Sequence, residues 1–144
     1  MEWFVRGFLR SSLAWLGLGV SLGVGMAVHA PWIVYRPAHM HMNLLGFVAM
    51  MIFGVAYHVV PRFTGHPLHA RRLAGWHFAF SNAGLALMAL GFILRPHQAA
   101  GWPLVLGAGA ALSAAGAYCF IYNLWRTIGP APLPVPRPRP LPTA

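Results

Sequence analysis

Four apolar stretches take up most of this chain, and their length is the strongest constraint on its fold. A helix needs about 20 mostly apolar residues to cross the hydrocarbon core of a bilayer. Only 8% of the residues are charged, whereas a soluble domain has about a quarter. The sequence therefore predicts an all-α, multi-pass membrane protein with one four-helix transmembrane domain, residues 1–128. Its four helices are predicted at residues 11–29, 37–60, 72–94 and 103–126.

The charged residues predict how these helices are oriented. All ten basic residues are arginines, and Glu2 is the only acid. The arginines flank the apolar stretches instead of forming a stripe, so they favour a role in membrane topology over nucleic-acid binding. Positive charge collects on the cytoplasmic side, which predicts an inner-membrane protein with both termini in the cytoplasm. That side carries Arg6, Arg10, Arg62, Arg71, Arg72, Arg126, Arg137 and Arg139, and the other side has Arg36 and Arg95.

The scarcity of acidic residues and of cysteine limits the chemistry that this chain can carry out. With one acid near the N-terminus, no carboxylate is available inside the membrane for a proton relay or a cation site. Cys119 is the only cysteine, and the C-x-x-C-H attachment site of c-type heme is absent from the sequence. The segment 129–144 is rich in proline and predicts an extended cytoplasmic tail.

Histidines stand at both ends of the second stretch, YRPAHMHMNLLGFVAMMIFGVAYHVVPR, residues 35–62. On an α-helix, His39 and His41 point about 200° apart. An imidazole facing lipid is costly, so each ring should have a partner of its own. A heme pocket on either side of the helix would supply one, with Arg36 about a turn away for a propionate. A polar helix end near the interface is the simpler alternative.

The other histidines have less specific interpretations. His58 and His77 lie near the inner ends of neighbouring helices and are candidates for a second, inner metal site. His66 and His69 read as solvated loop residues, and His29 and His97 as interfacial helix ends.

Small residues recur in the first and fourth stretches, including a G-x-x-x-G at Gly19–Gly23. Small residues let helices approach closely in lipid, either within the bundle or between protomers. The set comprises Gly17, Gly19, Ser21, Gly23, Gly25, Gly107, Gly109, Ala111, Ser113 and Ala115.

The second stretch resembles the catalytic subunit of heme-copper oxidases and nitric oxide reductases. Its Arg36-Pro37-x-His39 matches the R-P-x-H that begins that family's second helix, where the histidine binds a low-spin heme. Its His39-Met40-His41 is similar to the tenth helix, where two histidines bind different hemes on either side. The family subunit has twelve helices in three arcs of four, so this chain resembles one arc. The resemblance implies b-type heme on His39 and His41.

The family's copper ligands and proton-channel carboxylates have no counterpart in this sequence, which puts catalysis in doubt. We therefore expect electron transfer or heme-based redox or gas sensing, with an electron donor as partner. A terminal reductase of nitric oxide or dioxygen with a nonheme metal is one alternative. Copper binding or transport is another, because H-M-H-M combines imidazoles with thioethers, and Met50 and Met51 follow.

Three copies of a four-helix arc would restore twelve helices. We therefore expect a homotrimer in which each heme lies between two protomers, bound by His39 of one and His41 of the next.

Overall fold

The structure, a computed structural model, describes residues 1–129 and contains no strand in that range. Four of its helical segments are long and apolar enough to cross a membrane. The prediction of an all-α, four-helix membrane protein is therefore confirmed. The predicted proline-rich tail, residues 129–144, lies outside the described residues except for Gly129. The first to fourth spans are Trp3–Val28, Ala30–Thr64, Arg71–His97 and Trp102–Thr127.

The first span begins at Trp3, eight residues before the predicted position 11. Its early residues Phe4, Val5 and Phe8 are buried at 0–1% exposure in the core of the bundle. Their rings and methyl groups pack against Tyr57, Ala74 and neighbouring side chains. This burial stabilises an extra two turns of helix ahead of the apolar stretch that was visible in the sequence.

The second span changes its helical form along its length. A 3₁₀ turn leads in, and Pro37 lies in the first α-helical turn, where its missing N–H is not needed. The helix continues through Pro61 and ends before Gly65, whose φ of 70° is the left-handed conformation common after a helix C-terminus. The successive pieces are a 3₁₀ turn Ala30–Tyr35, an α-helix Arg36–His41, a π-helix Met42–Ala49 and an α-helix Met50–Thr64.

The third and fourth spans form a tightly packed hairpin because glycines bring their backbones together. A Cβ atom on Gly109 would lie 2.6 Å from the backbone nitrogen of Met88. A Cβ on Gly84 would lie 2.6 Å from the backbone nitrogen of Ser113. Within the described chain, Gly107 faces open space. Some of the predicted small residues thus pack within one chain, whereas others point outward.

Adding a methyl group at the Gly109 contact should separate the two helices. We expect Gly109→Ala to destabilise the protein by about 1–3 kcal/mol, because the clash is with backbone and cannot be relieved by a rotamer change. Gly107→Ala is the matched control on the same helix and should be neutral or slightly stabilising. Thermal unfolding in detergent compares the two variants. Equal melting temperatures for both would contradict this packing.

Candidate functional site

His39 is oriented by a hydrogen bond to the first span. Its Nδ1 lies 2.8 Å from the carbonyl oxygen of Gly19. A carbonyl oxygen only accepts hydrogen bonds, so Nδ1 carries the proton and Nε2 keeps its lone pair. Asn43 Nδ2 is 3.3 Å from the same ring nitrogen, but its shorter bond of 2.9 Å goes to the His39 carbonyl. His39 therefore presents Nε2 as an acceptor or metal ligand.

Two glycines of the first span make room for this arrangement. A Cβ on Gly23 would lie 2.8 Å from His39 Cε1, and a Cβ on Gly19 would lie 2.6 Å from Asn43 Nδ2. The G-x-x-x-G spacing puts both on one helix face. The sequence indicated these glycines as packing residues, and the structure shows that they position His39.

His41 is oriented by its own helix. Its Nδ1 lies 2.8 Å from the carbonyl oxygen of Pro37, one turn earlier, so this ring also keeps a lone pair on Nε2. The ring packs against Phe92 of the third span, with 4.7 Å between ring centroids. Both histidines are partly buried. His39 thus faces the first span while His41 faces the third, as the spacing predicts.

Two arginines lie near this end of the bundle. Arg36 is exposed at the start of the α-helix that carries both histidines. Arg95 lines a cavity of about 350 Å³ together with Pro37 and Phe92, both of which contact His41. The guanidinium of Arg95 lies 5.6 Å from the ring centre of Trp102. The sequence indicated Arg95 only as a topology signal, and its place beside Pro37 and Phe92 became visible in the structure.

The inner candidates, His58 and His77, occupy different surroundings. His77 is fully buried, its Nδ1 lies 3.0 Å from the Tyr57 hydroxyl, and its Nε2 has no partner in the described part of the chain. Rings of Phe8, Phe53, Tyr57 and Phe120 surround it at centroid distances of 4.5–5.7 Å.

His58 instead accepts a hydrogen bond from Arg62, whose Nη1 lies 2.9 Å from His58 Nδ1. An arginine only donates, so here Nδ1 is the acceptor and the proton sits on Nε2. Residues 1–129 contain no cluster of three or more histidine, cysteine or acidic side chains able to hold a metal. A shared metal on His58 and His77 stays a prediction, and it would require the bond between His58 and Arg62 to break.

No family model matches the sequence. The chain is 29% identical to "Cytochrome c oxidase subunit 1" of Rhodobacter capsulatus, over 65% of this chain and 22% of that protein. It is also 29% identical to "Cbb3-type cytochrome c oxidase subunit CcoN1" of Stutzerimonas stutzeri, over 86% of this chain and 32% of that protein. A bacteroid homolog of cytochrome c oxidase subunit 1 from Bradyrhizobium diazoefficiens is 24% identical, over 86% of this chain and 28% of that protein.

The fold and these similarities agree on the class of protein. The chain is a multi-pass, all-α membrane protein. It resembles subunit I of the heme-copper oxidases, which confirms the resemblance seen in its second span. The chain spans about a fifth to a third of the length of the curated relatives it matches. The resemblance is therefore to one part of an oxidase subunit.

Proposed function

We propose that this chain is a b-type heme-binding membrane protein whose iron ligands are His39 and His41, and that it serves electron transfer or heme-based redox or gas sensing. One observation carries the proposal. In both rings the Nδ1–H group donates a hydrogen bond to a backbone carbonyl oxygen, and Nε2 keeps a free lone pair. A histidine that binds a metal commonly donates its other ring N–H in this way, which fixes its tautomer and orientation.

The surroundings of the two rings fit the chemistry of a heme. The neighbouring surfaces are mostly apolar, with Phe92 against His41 and the glycines of the first span against His39. Arg36 and Arg95 at the same end offer cationic partners for propionates. Bound there, heme b would supply a one-electron couple. Ligation by two histidines leaves no open coordination position, which favours electron transfer over gas chemistry.

The opposed directions of the two histidines favour a heme shared between copies of the chain. In the described chain His39 contacts the first span and His41 contacts the third, so the two rings diverge. A ring of protomers brings His39 of one copy towards His41 of the next, and cyclic symmetry closes such a head-to-tail contact. The number three rests on the twelve helices of the resembled subunit.

Similarity to oxidase subunits favours a second candidate, a terminal reductase of dioxygen or nitric oxide. That function needs an open heme site and a nonheme metal, for which His77, with its unpartnered Nε2, is the best-placed inner residue. Metal analysis tests it: copper or nonheme iron in stoichiometric ratio to heme supports it, and heme iron alone rejects it.

Copper binding through the H-M-H-M segment is less favoured by the geometry. His39 and His41 face different spans, and Met40 is exposed whereas Met42 is buried. The four donors therefore diverge, and a copper ion needs convergent ligands. Colourless protein that carries copper would reverse this preference.

The topology proposed for the chain follows its arginines. Arg62 and Arg71 line one cavity, while Arg95 lines another beside Pro37 and Phe92. Placing the end with Arg62 and Arg71 in the cytoplasm satisfies the positive-inside rule and leaves both chain termini there. The proposed hemes then lie near the outer surface of an inner membrane.

Removing either proposed ligand should remove the heme. We expect His39→Ala and His41→Ala each to lose most of the bound heme, because each variant removes one of the two proposed iron ligands and, with it, one protomer's hold on a shared heme. His69→Ala, an exposed histidine at the opposite end, is the control and should keep full heme. Heme is counted per chain from the b-type pyridine hemochrome spectrum. Full heme with an unchanged low-spin spectrum in both ligand variants would refute the assignment.

Displacing the His39 ring without removing it should also weaken heme binding. In Gly23→Ala the new methyl group would lie 2.8 Å from His39 Cε1, so the ring must turn away from the Gly19 carbonyl. We expect heme affinity to fall about 10- to 100-fold, as for other losses of ligand-orienting contacts. Gly17→Ala is the control on the same helix, since a Cβ there meets no atom of the described chain within 4 Å. Heme titration followed by absorbance measures both, and equal affinities would argue against a positioning role.

The sharing of heme is tested by mass. We expect the purified protein in detergent to be a three-chain particle with one heme per chain, measured by light scattering and hemochrome together. Mixing His39→Ala chains with His41→Ala chains should restore a minority of sites, because an intact pair forms when the His39 of one copy meets the His41 of the next. A monomer that keeps a heme bound by two histidines would rule out sharing.

A further inference from the structure

A cavity beside the spans lies at the arginine-rich end, away from His39 and His41. Its volume is about 460 Å³. It is an open cavity lined by residues at the start of the first span, the end of the second span, the following loop and the start of the third span. The polar side chains that line it are Glu2, Tyr57, His58, Arg62, His66 and Arg71.

Hydrogen-bond donors dominate this lining. Arg62 donates to His58 Nδ1 and also to the His58 carbonyl, which holds the guanidinium beside the imidazole. His58 therefore carries its proton on Nε2 and is a donor at that atom. Arg62 retains further N–H groups beyond these two bonds, since a guanidinium has five. A group that binds here must supply acceptor oxygens.

The charge of the lining is positive. Glu2 is the only acidic side chain in the sequence, and it pairs with Arg71 across 3.2 Å. The Arg71 side chain is 75% exposed and that of Glu2 is 43% exposed, so solvent weakens this pair. Arg62 is left without a carboxylate partner in the described structure. The cavity thus has an excess of positive charge with nothing in residues 1–129 to neutralise it.

The loop wall of the cavity is fixed to the bundle. The side chain of Asn123 accepts a hydrogen bond from the Ala70 backbone N–H and donates to the Ala70 carbonyl, both at 2.9 Å. The Thr127 hydroxyl accepts from the His69 backbone N–H at 3.1 Å. Asn123 and Thr127 are almost completely buried. These bonds hold the end of the loop that carries His66 against the fourth span.

We propose that this cavity binds the phosphate group of an anionic phospholipid from the adjacent leaflet. The donors suit phosphate oxygens, which form strong charge-assisted bonds with arginine. The cavity lies at the end of membrane-spanning helices, and Phe4, Pro61 and Leu68 give it apolar walls for the upper part of the lipid. Basic pockets at the cytoplasmic ends of spans bind anionic head groups by this chemistry. The proposal is independent of heme binding.

The test uses the full chain in nanodiscs of phosphatidylcholine containing a graded fraction of phosphatidylglycerol. Lipid that stays with the protein after mild detergent extraction is counted by native mass spectrometry. We expect wild type to retain phosphatidylglycerol at least about tenfold over phosphatidylcholine. Arg62→Gln should lower that retention about tenfold, because it removes one charge-assisted bond.

Two further variants test whether lipid retention depends on this cavity: a control arginine outside it and a variant expected to raise retention. Arg126→Gln removes an exposed arginine near the end of the fourth span that does not line the cavity, and should change retention less than twofold. Glu2→Gln removes the competing carboxylate and should raise retention severalfold. Equal losses in the Arg62 and Arg126 variants would assign the effect to general surface charge and overturn the site. Displacement of the lipid by millimolar inorganic phosphate would identify a free anion as the ligand and overturn the lipid assignment, as would equal retention of both lipids by wild type.

Discussion

A bilayer core offers no hydrogen-bond partners, so a polar side chain in a span must find its partner inside the protein. The bond from His39 to the Gly19 carbonyl meets that requirement across two spans, and the bond from His41 to the Pro37 carbonyl meets it within one helix. Each bond occupies one ring nitrogen and fixes which nitrogen remains free. The proposed heme site depends on this consequence, because two imidazoles of the other tautomer would offer donors to an iron that needs lone pairs.

Part of this site was predictable from the sequence for a simple reason. Residues two apart on an α-helix diverge whatever surrounds them, so the opposed directions of His39 and His41 followed from their spacing. The partner of His39 did not, because the Gly19 carbonyl comes into reach only when the first span packs against the second. The G-x-x-x-G indicated close packing but could not identify the side chain that fills the gap. The bounds of the spans were less predictable still, since burial of Phe4 and Phe8 extends the first helix and Pro61 does not end the second.

The two ends of the bundle use histidine in contrasting ways. At one end, carbonyl oxygens hold the Nδ1 protons of His39 and His41 and leave acceptors free. At the other end, Arg62 donates a hydrogen bond to Nδ1 of His58, so the protonated Nε2 of His58 remains free as a donor. The same residue type is thereby suited to a metal at one end and to an anion at the other. Sequence position alone does not distinguish these roles, because each depends on which group the fold brings beside the ring. His66 illustrates the point, since a loop residue by sequence lines a cavity in the structure.

The π-helix Met42–Ala49 separates these two ends within the second span. Each residue added to or removed from a helix turns everything beyond it by about 100°. A wider helical segment therefore sets the rotational phase between the part that carries His39 and His41 and the part that carries Tyr57 and His58. Were the same stretch wound as an ordinary α-helix, the inner residues would face different neighbours while the outer histidines kept theirs. Gain or loss of a single residue in this segment would thus rotate the side chains at one end of the span relative to those at the other. The inner and outer ends of the span could therefore change independently in evolution.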